Sequence, residues 1–135
     1  MKASSLCFRA AVLMALAGMA WGIGMAISED HTAMPAHAHL NLLGWVSLFL
    51  FGIFYRLHPS LEATRIALVQ VWIWIFGTVV LTIGVAMLLS GSDSGEPIAT
   101  GGSLITLADM LLFAWLVFRG SSAGGATGAA ARPAA

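Results

Sequence analysis

Long apolar stretches separated by short polar breaks run the length of the chain. Four windows are long and apolar enough to cross a bilayer core, which takes about 20 helical residues: residues 7–27, 36–57, 66–89 and 101–118. The breaks at 28–32, 58–65 and 90–97 hold turn formers and helix caps. The pattern predicts an all-α integral membrane protein, with four short-linked helices in an antiparallel bundle over residues 1–119. Residues 120–135 are Gly, Ala and Ser around one arginine. They have no means of burying a core and are expected to form a disordered tail.

Charge orients the spans. Lys2 and Arg9 precede the first, Arg56 and Arg65 flank the second linker, and Arg119 and Arg132 follow the fourth. All six basic residues therefore share one side of a four-span topology, while Glu29, Asp30, Asp93 and Glu96 fall on the other. The positive-inside rule makes the basic side, with both termini, cytoplasmic. The expected location is the bacterial inner membrane, as a multi-pass protein. A basic start followed by an apolar run and small residues near Gly24 and Ala26 also matches a cleaved signal peptide, although the run is long for one. Cleavage would leave three spans.

Composition agrees. Of 135 residues, 59% are hydrophobic and 9% charged, against about 25% charged in soluble domains. Net charge is zero, with no basic patch to take nucleic acid. The single cysteine, Cys7, cannot form an internal disulfide. No nucleophile–base set, phosphate loop or nucleotide fingerprint is present. Ala11, Ala15, Gly18 and Gly22 form a small-residue stripe on the first span, and Gly77 and Gly84 stand seven apart on the third. Both patterns are read as close helix packing. Trp21, Trp45, Trp72, Trp74 and Trp115 lie toward span ends, and most are expected to anchor at the membrane interface.

The chemistry concentrates at the start of the second span, where two histidines and an asparagine open a long apolar segment. At about 100° per residue, His37, Asn41, Gly44, Leu48, Gly52 and Tyr55 share one face. His39 points the opposite way, above Leu42, Val46, Leu50, Ile53 and Leu57. Two histidines so placed do not easily chelate one ion. They serve different partners, or the helix begins after His37. The glycine face under His37 admits a flat macrocycle or a neighbouring helix; the aliphatic face under His39 suits a haem edge. Interhelical hydrogen bonding by both histidines is the plainer alternative. With His31 and Met34, His37 also makes a His-x-x-Met-x-x-His pattern, whose imidazole and thioether donors suit copper. His58, before Pro59, is expected to be a solvated capping residue.

Asp109 stands near the middle of the fourth span with Thr106 and Ser103 on its face. A carboxyl group there is costly, so it should face the bundle or be protonated. It is a candidate proton or polar site, or a neutral acid bonded to Thr78 or Thr82 on the third span. It lies several turns deeper than His39.

The run His39, Asn41, Leu42, Leu43, continuing through Phe51, Gly52 and Tyr55 to Pro59, resembles the second transmembrane helix of subunit I of the haem-copper oxidase superfamily, most closely its nitric-oxide-reductase branch. The resemblance covers the second span. It implies low-spin haem b with His39 as axial ligand by position; His37 has no counterpart in the family's run and leaves the ligand open between the two histidines, with Asn41 and Gly44 as the further candidate cofactor-site residues. It also implies a place in respiratory electron transfer or gas sensing. The chain departs from the family in its four histidines, none in the first, third or fourth span. It lacks the histidines of the family's catalytic centre and is not expected to act as an oxidase alone. A second axial ligand would come from a homodimer or a larger respiratory complex, or from Met19, Met25, Met87 or Met110; a five-coordinate gas-sensing haem is a third arrangement. The competing readings are a copper-binding accessory protein and a structural membrane protein without cofactor.

Overall fold

A computed structural model describes the backbone of residues 1–129 and side chains through Arg119. The described elements are all helical. Helix α1 spans Ala3–Ser28, α2 spans Met34–Leu57, α3 is the short Pro59–Glu62, α4 spans Arg65–Leu89 and α5 spans Gly95–Ala129. The four long helices are long and apolar enough to cross a membrane, the last over Gly95–Arg119. They start earlier than composition suggested, by one to six residues. The α5 backbone stays helical past 118 to Ala129, into the stretch expected to be a tail, whose remaining residues 130–135 lie outside those described.

Local chemistry sets the ends. Glu29 takes a left-handed conformation (φ 54°) and closes α1. Pro35 fits the first turn of α2, where its missing N–H costs nothing. Pro59 prevents α2 from continuing. The Thr64 hydroxyl caps α4 by accepting from the Ala67 N–H at 3.3 Å. Gly91 supplies the positive φ of 81° that the next turn requires.

Polarity runs opposite to that of a soluble protein. Leu13, Leu16, Ile23, Phe76, Ile83, Leu104 and Leu111 are all exposed, whereas Gln70, Thr78, Thr106 and Asp109 are buried. Such an apolar exterior belongs in lipid, which makes the chain a multi-pass membrane protein. Trp74 departs from the interface-anchor expectation. It is 2% exposed, and its indole N–H donates to the Leu43 carbonyl at 3.0 Å. Its ring lies 4.9 Å from Phe51, which stacks on Phe113 at 4.1 Å and so ties α2, α4 and α5 together.

Small residues set the spacing. Gly18 faces Asn41 and Gly22 faces His37, while Gly44 faces Met14 and Gly52 faces Phe8. Rising positions on α1 therefore meet falling positions on α2. Gly84 lies against the Ala99 backbone, Gly102 against Leu81 and Gly77 against Ile105 and Thr106, so α4 and α5 meet backbone to backbone. The small-residue patterns of the first and third spans thus act as packing faces. Below them, the Ser4 hydroxyl bonds the Glu62 carboxylate, and Lys2 Nζ lies 3.6 Å from Glu62 Oε2. This contact fastens the start of α1 to the α2–α4 connection.

A Cβ on Gly84 would collide with main chain, which cannot yield as a side-chain tip can. Gly84→Ala should lower stability by about 1–3 kcal/mol and loosen α4 from α5. Gly101→Ala, which meets open space, should not; unfolding in detergent measures both. The Ser4 hydrogen bond, aided by the Lys2 and Arg56 charges, outweighs partial desolvation and holds the Glu62 carboxyl below its ordinary range. The stabilisation it gives is complete above the unfolded pKa, about 4.3, and is lost as pH falls through the folded value. Acid titration of stability should show this dependence in the wild type and less of it in Glu62→Gln.

Candidate functional site

Between the first turns of α2 and Leu48, the helix widens. Residues Leu40–Ser47 form a π-helical stretch, with hydrogen bonds reaching five residues back. Polar side chains attach to its backbone. Ser47 Oγ donates to the Leu42 carbonyl at 2.9 Å, and Asn41 Nδ2 to the His37 carbonyl at 2.9 Å. The indole of Trp74 reaches the Leu43 carbonyl from α4. Such bonds draw carbonyls away from the ordinary four-residue ladder.

The two histidines part company here. His37 turns toward α1. Its ring is 3.1 Å from the position a Cβ on Gly22 would take, and Trp21 meets it edge-on at 6.5 Å between centroids. Asn41 Nδ2 is 3.3 Å from its Nε2. Asn41 itself fills the notch at Gly18, and Met14 fills the one at Gly44. The glycine face therefore receives a neighbouring helix.

His39 faces outward. Its Nδ1 donates to the Pro35 carbonyl at 2.7 Å. A carbonyl only accepts, so this bond places a proton on Nδ1; in the neutral ring the lone pair is then on Nε2. The ring lines a groove of about 310 Å³ with Ala38, Leu42, Leu43 and Leu81. Below it Leu42, Val46, Leu50, Ile53 and Leu57 are all exposed, the aliphatic face read from the sequence. Oriented imidazole, free Nε2 and apolar walls fit one side of an iron porphyrin. None of Met19, Met25, Met87 and Met110 lines this groove.

The other sequence candidates do not line this groove. His31 is exposed, with Nδ1 3.3 Å from the Glu29 carbonyl. Met34 bonds His31 only through backbone, N–H to carbonyl at 3.0 Å. Among the described residues no group of three or more His, Cys, Asp or Glu is gathered as a metal cluster. His58 donates from Nδ1 to the Phe54 carbonyl at 2.7 Å and stacks on the Phe54 ring.

Asp109 is 2% exposed and faces the bundle. Its partner is neither Thr78 nor Thr82 but Gln70, whose Nε2 donates to Asp109 Oδ2 at 2.6 Å. Gln70 Oε1 in turn accepts from the Tyr55 hydroxyl at 2.8 Å. One chain of hydrogen bonds thus links α2, α4 and α5. The register explains the choice. Gly77 meets Thr106, so the next turn of α5 meets the preceding part of α4, where Gln70 stands. Gln70 carries a sequence signal, as the lone amide within an apolar helix, but its partner follows only from helix pairing. Thr78 and Thr82 keep buried hydroxyls without hydrogen-bond partners. Tyr55, the polar end of the chain of bonds on α2, lies sixteen residues beyond His39, about 24 Å along a helix. Asp109 and His39 therefore belong to different levels of the bundle.

Compared with models of protein families, with curated proteins and with solved structures, the chain gives no match.

Gln70→Leu strands two buried groups and should cost about 1–3 kcal/mol. Tyr55→Phe strands one buried acceptor, Gln70 Oε1, and should cost about 1 kcal/mol. The double variant should cost less than the sum, because both act on one chain of bonds. A double-mutant cycle in detergent unfolding reads the coupling; strict additivity would show that the bonds are independent.

Proposed function

We propose that this chain is a membrane haem-binding protein in which His39 is the axial ligand of haem b, working in respiratory electron transfer or gas sensing in a bacterial inner membrane. The proposed topology is an antiparallel bundle with both termini cytoplasmic. It is supported by the opposed contact registers of α1 with α2 and α4 with α5, and by the gathering of basic residues on one side of the sequence topology.

The observation that carries the reading is the 2.7 Å bond from His39 Nδ1 to the Pro35 carbonyl. It fixes the ring and reserves Nε2 for a ligand, as outer-shell partners do for metal-binding histidines. Bound haem would supply one-electron chemistry or a site for a diatomic gas. The chain's own part is to present Nε2 and to exclude water with Leu42, Leu43 and Leu81. Among the described residues no second donor lines the groove, which favours a symmetric dimer with one His39 from each copy. His37, Asn41 and Gly44 hold α1 against α2 and support the ligand helix from behind. His37 turns toward Gly22 of α1, away from the groove that His39 lines.

Purified full-length protein should show a Soret band, with one haem for each pair of chains. His39→Ala should abolish it, and His37→Ala should leave most of it. Loss with His37→Ala alone would move the ligand to the α1 side. Protein that stays colourless after haemin is added would overturn the haem reading altogether.

A further inference from the structure

The end of the bundle opposite His39 carries a cavity of about 250 Å³, walled by Ser60, Leu61, Ile66, Trp115, Leu116 and Arg119. It lies where the α2–α4 connection meets the membrane end of α5. Its lining is divided. The Arg119 guanidinium carbon sits 4.6 Å from the Trp115 ring centroid. Stacking on the indole face orients the guanidinium and leaves its N–H groups at the rim for an acceptor. The ion pair recorded among the described residues is that of Lys2 with Glu62, and it does not involve Arg119. Ser60 adds an exposed hydroxyl. Thr64 also borders the cavity, but its hydroxyl is engaged, donating to the Leu61 carbonyl at 2.7 Å and accepting from the Ala67 N–H. The remaining wall is apolar, with Leu116 only 1% exposed.

A cation and a hydroxyl at one edge, with an indole and aliphatic walls at the other, match a ligand that is anionic at one end and hydrocarbon at the other. A free phosphate would leave the apolar wall uncovered. A fatty chain alone would leave the guanidinium without a counter-charge. We propose that this cavity is a binding site for an anionic phospholipid, its phosphodiester on Arg119 and Ser60 and its upper acyl carbons against Leu61 and Ile66. Trp115 sets the depth, since an indole prefers the boundary between headgroups and chains. The proposal is independent of the haem reading and uses none of its residues.

Native mass spectrometry of the purified full-length protein, with phosphatidylglycerol and phosphatidylcholine in competition, tests it. The wild type should retain phosphatidylglycerol preferentially. Arg119→Gln should reduce that preference about fivefold, and Arg9→Gln, which removes the same charge from exposed helix outside this cavity, should leave it intact. Equal losses in both variants would mean diffuse attraction to the basic end, and the site would fall. Displacement of the lipid by glycerol phosphate at equal concentration would also overturn the proposal, because the acyl contacts would then contribute nothing.

Discussion

Hydrocarbon offers no water to a polar group, so each polar group inside these helices must be satisfied by the protein itself. Most of the interior follows from that constraint. Asp109 takes a bond from Gln70, and Gln70 takes one from Tyr55. Trp74 donates to a backbone carbonyl of α2. Asn41 and His39 each bond a carbonyl one turn back on their own helix. The first set joins helices that greasy surfaces alone would hold weakly, since lipid competes equally well for apolar contact. The second orients individual side chains. The same rule makes the buried, unpartnered hydroxyls of Thr78 and Thr82 unusual.

Those bonds form only if backbones come close, and the small residues permit it. Asn41 enters the notch at Gly18 and His37 the one at Gly22, so these two polar residues of α2 sit against α1 rather than in lipid. Gly84 and Gly102 bring α4 and α5 together on the same principle. This approach fixes the register that delivers Gln70 to Asp109. Polar pairing and glycine packing are therefore one design: the notch sets which polar groups meet, and their bonding rewards the approach.

The asymmetry of the histidine helix has the same origin. Two residues apart, His37 and His39 fall on opposed faces. One face is claimed by α1, and the other is left beside Leu81 of α4 and the lipid. A bond to the Pro35 carbonyl then determines which nitrogen His39 offers outward. The proposed haem site thus depends on one ring oriented from its own helix, beside a wall that Leu81 of α4 completes.

Sequence alone determined the class of this protein: four apolar spans, the polar breaks between them, the glycine and aliphatic faces of α2, and the need for Asp109 to turn inward. These follow from the 1.5 Å rise and 100° step of a helix and from the thickness of a bilayer, which any segment obeys regardless of its neighbours. Tertiary structure decided the rest. Gln70 rather than Thr78 or Thr82 meets Asp109, Trp74 belongs to the core, Glu62 fastens the first helix through Ser4 and Lys2, and α2 widens beside His39. Each of these depends on the axial offset between helices, and that offset is a balance of many distant contacts rather than a property of any one segment.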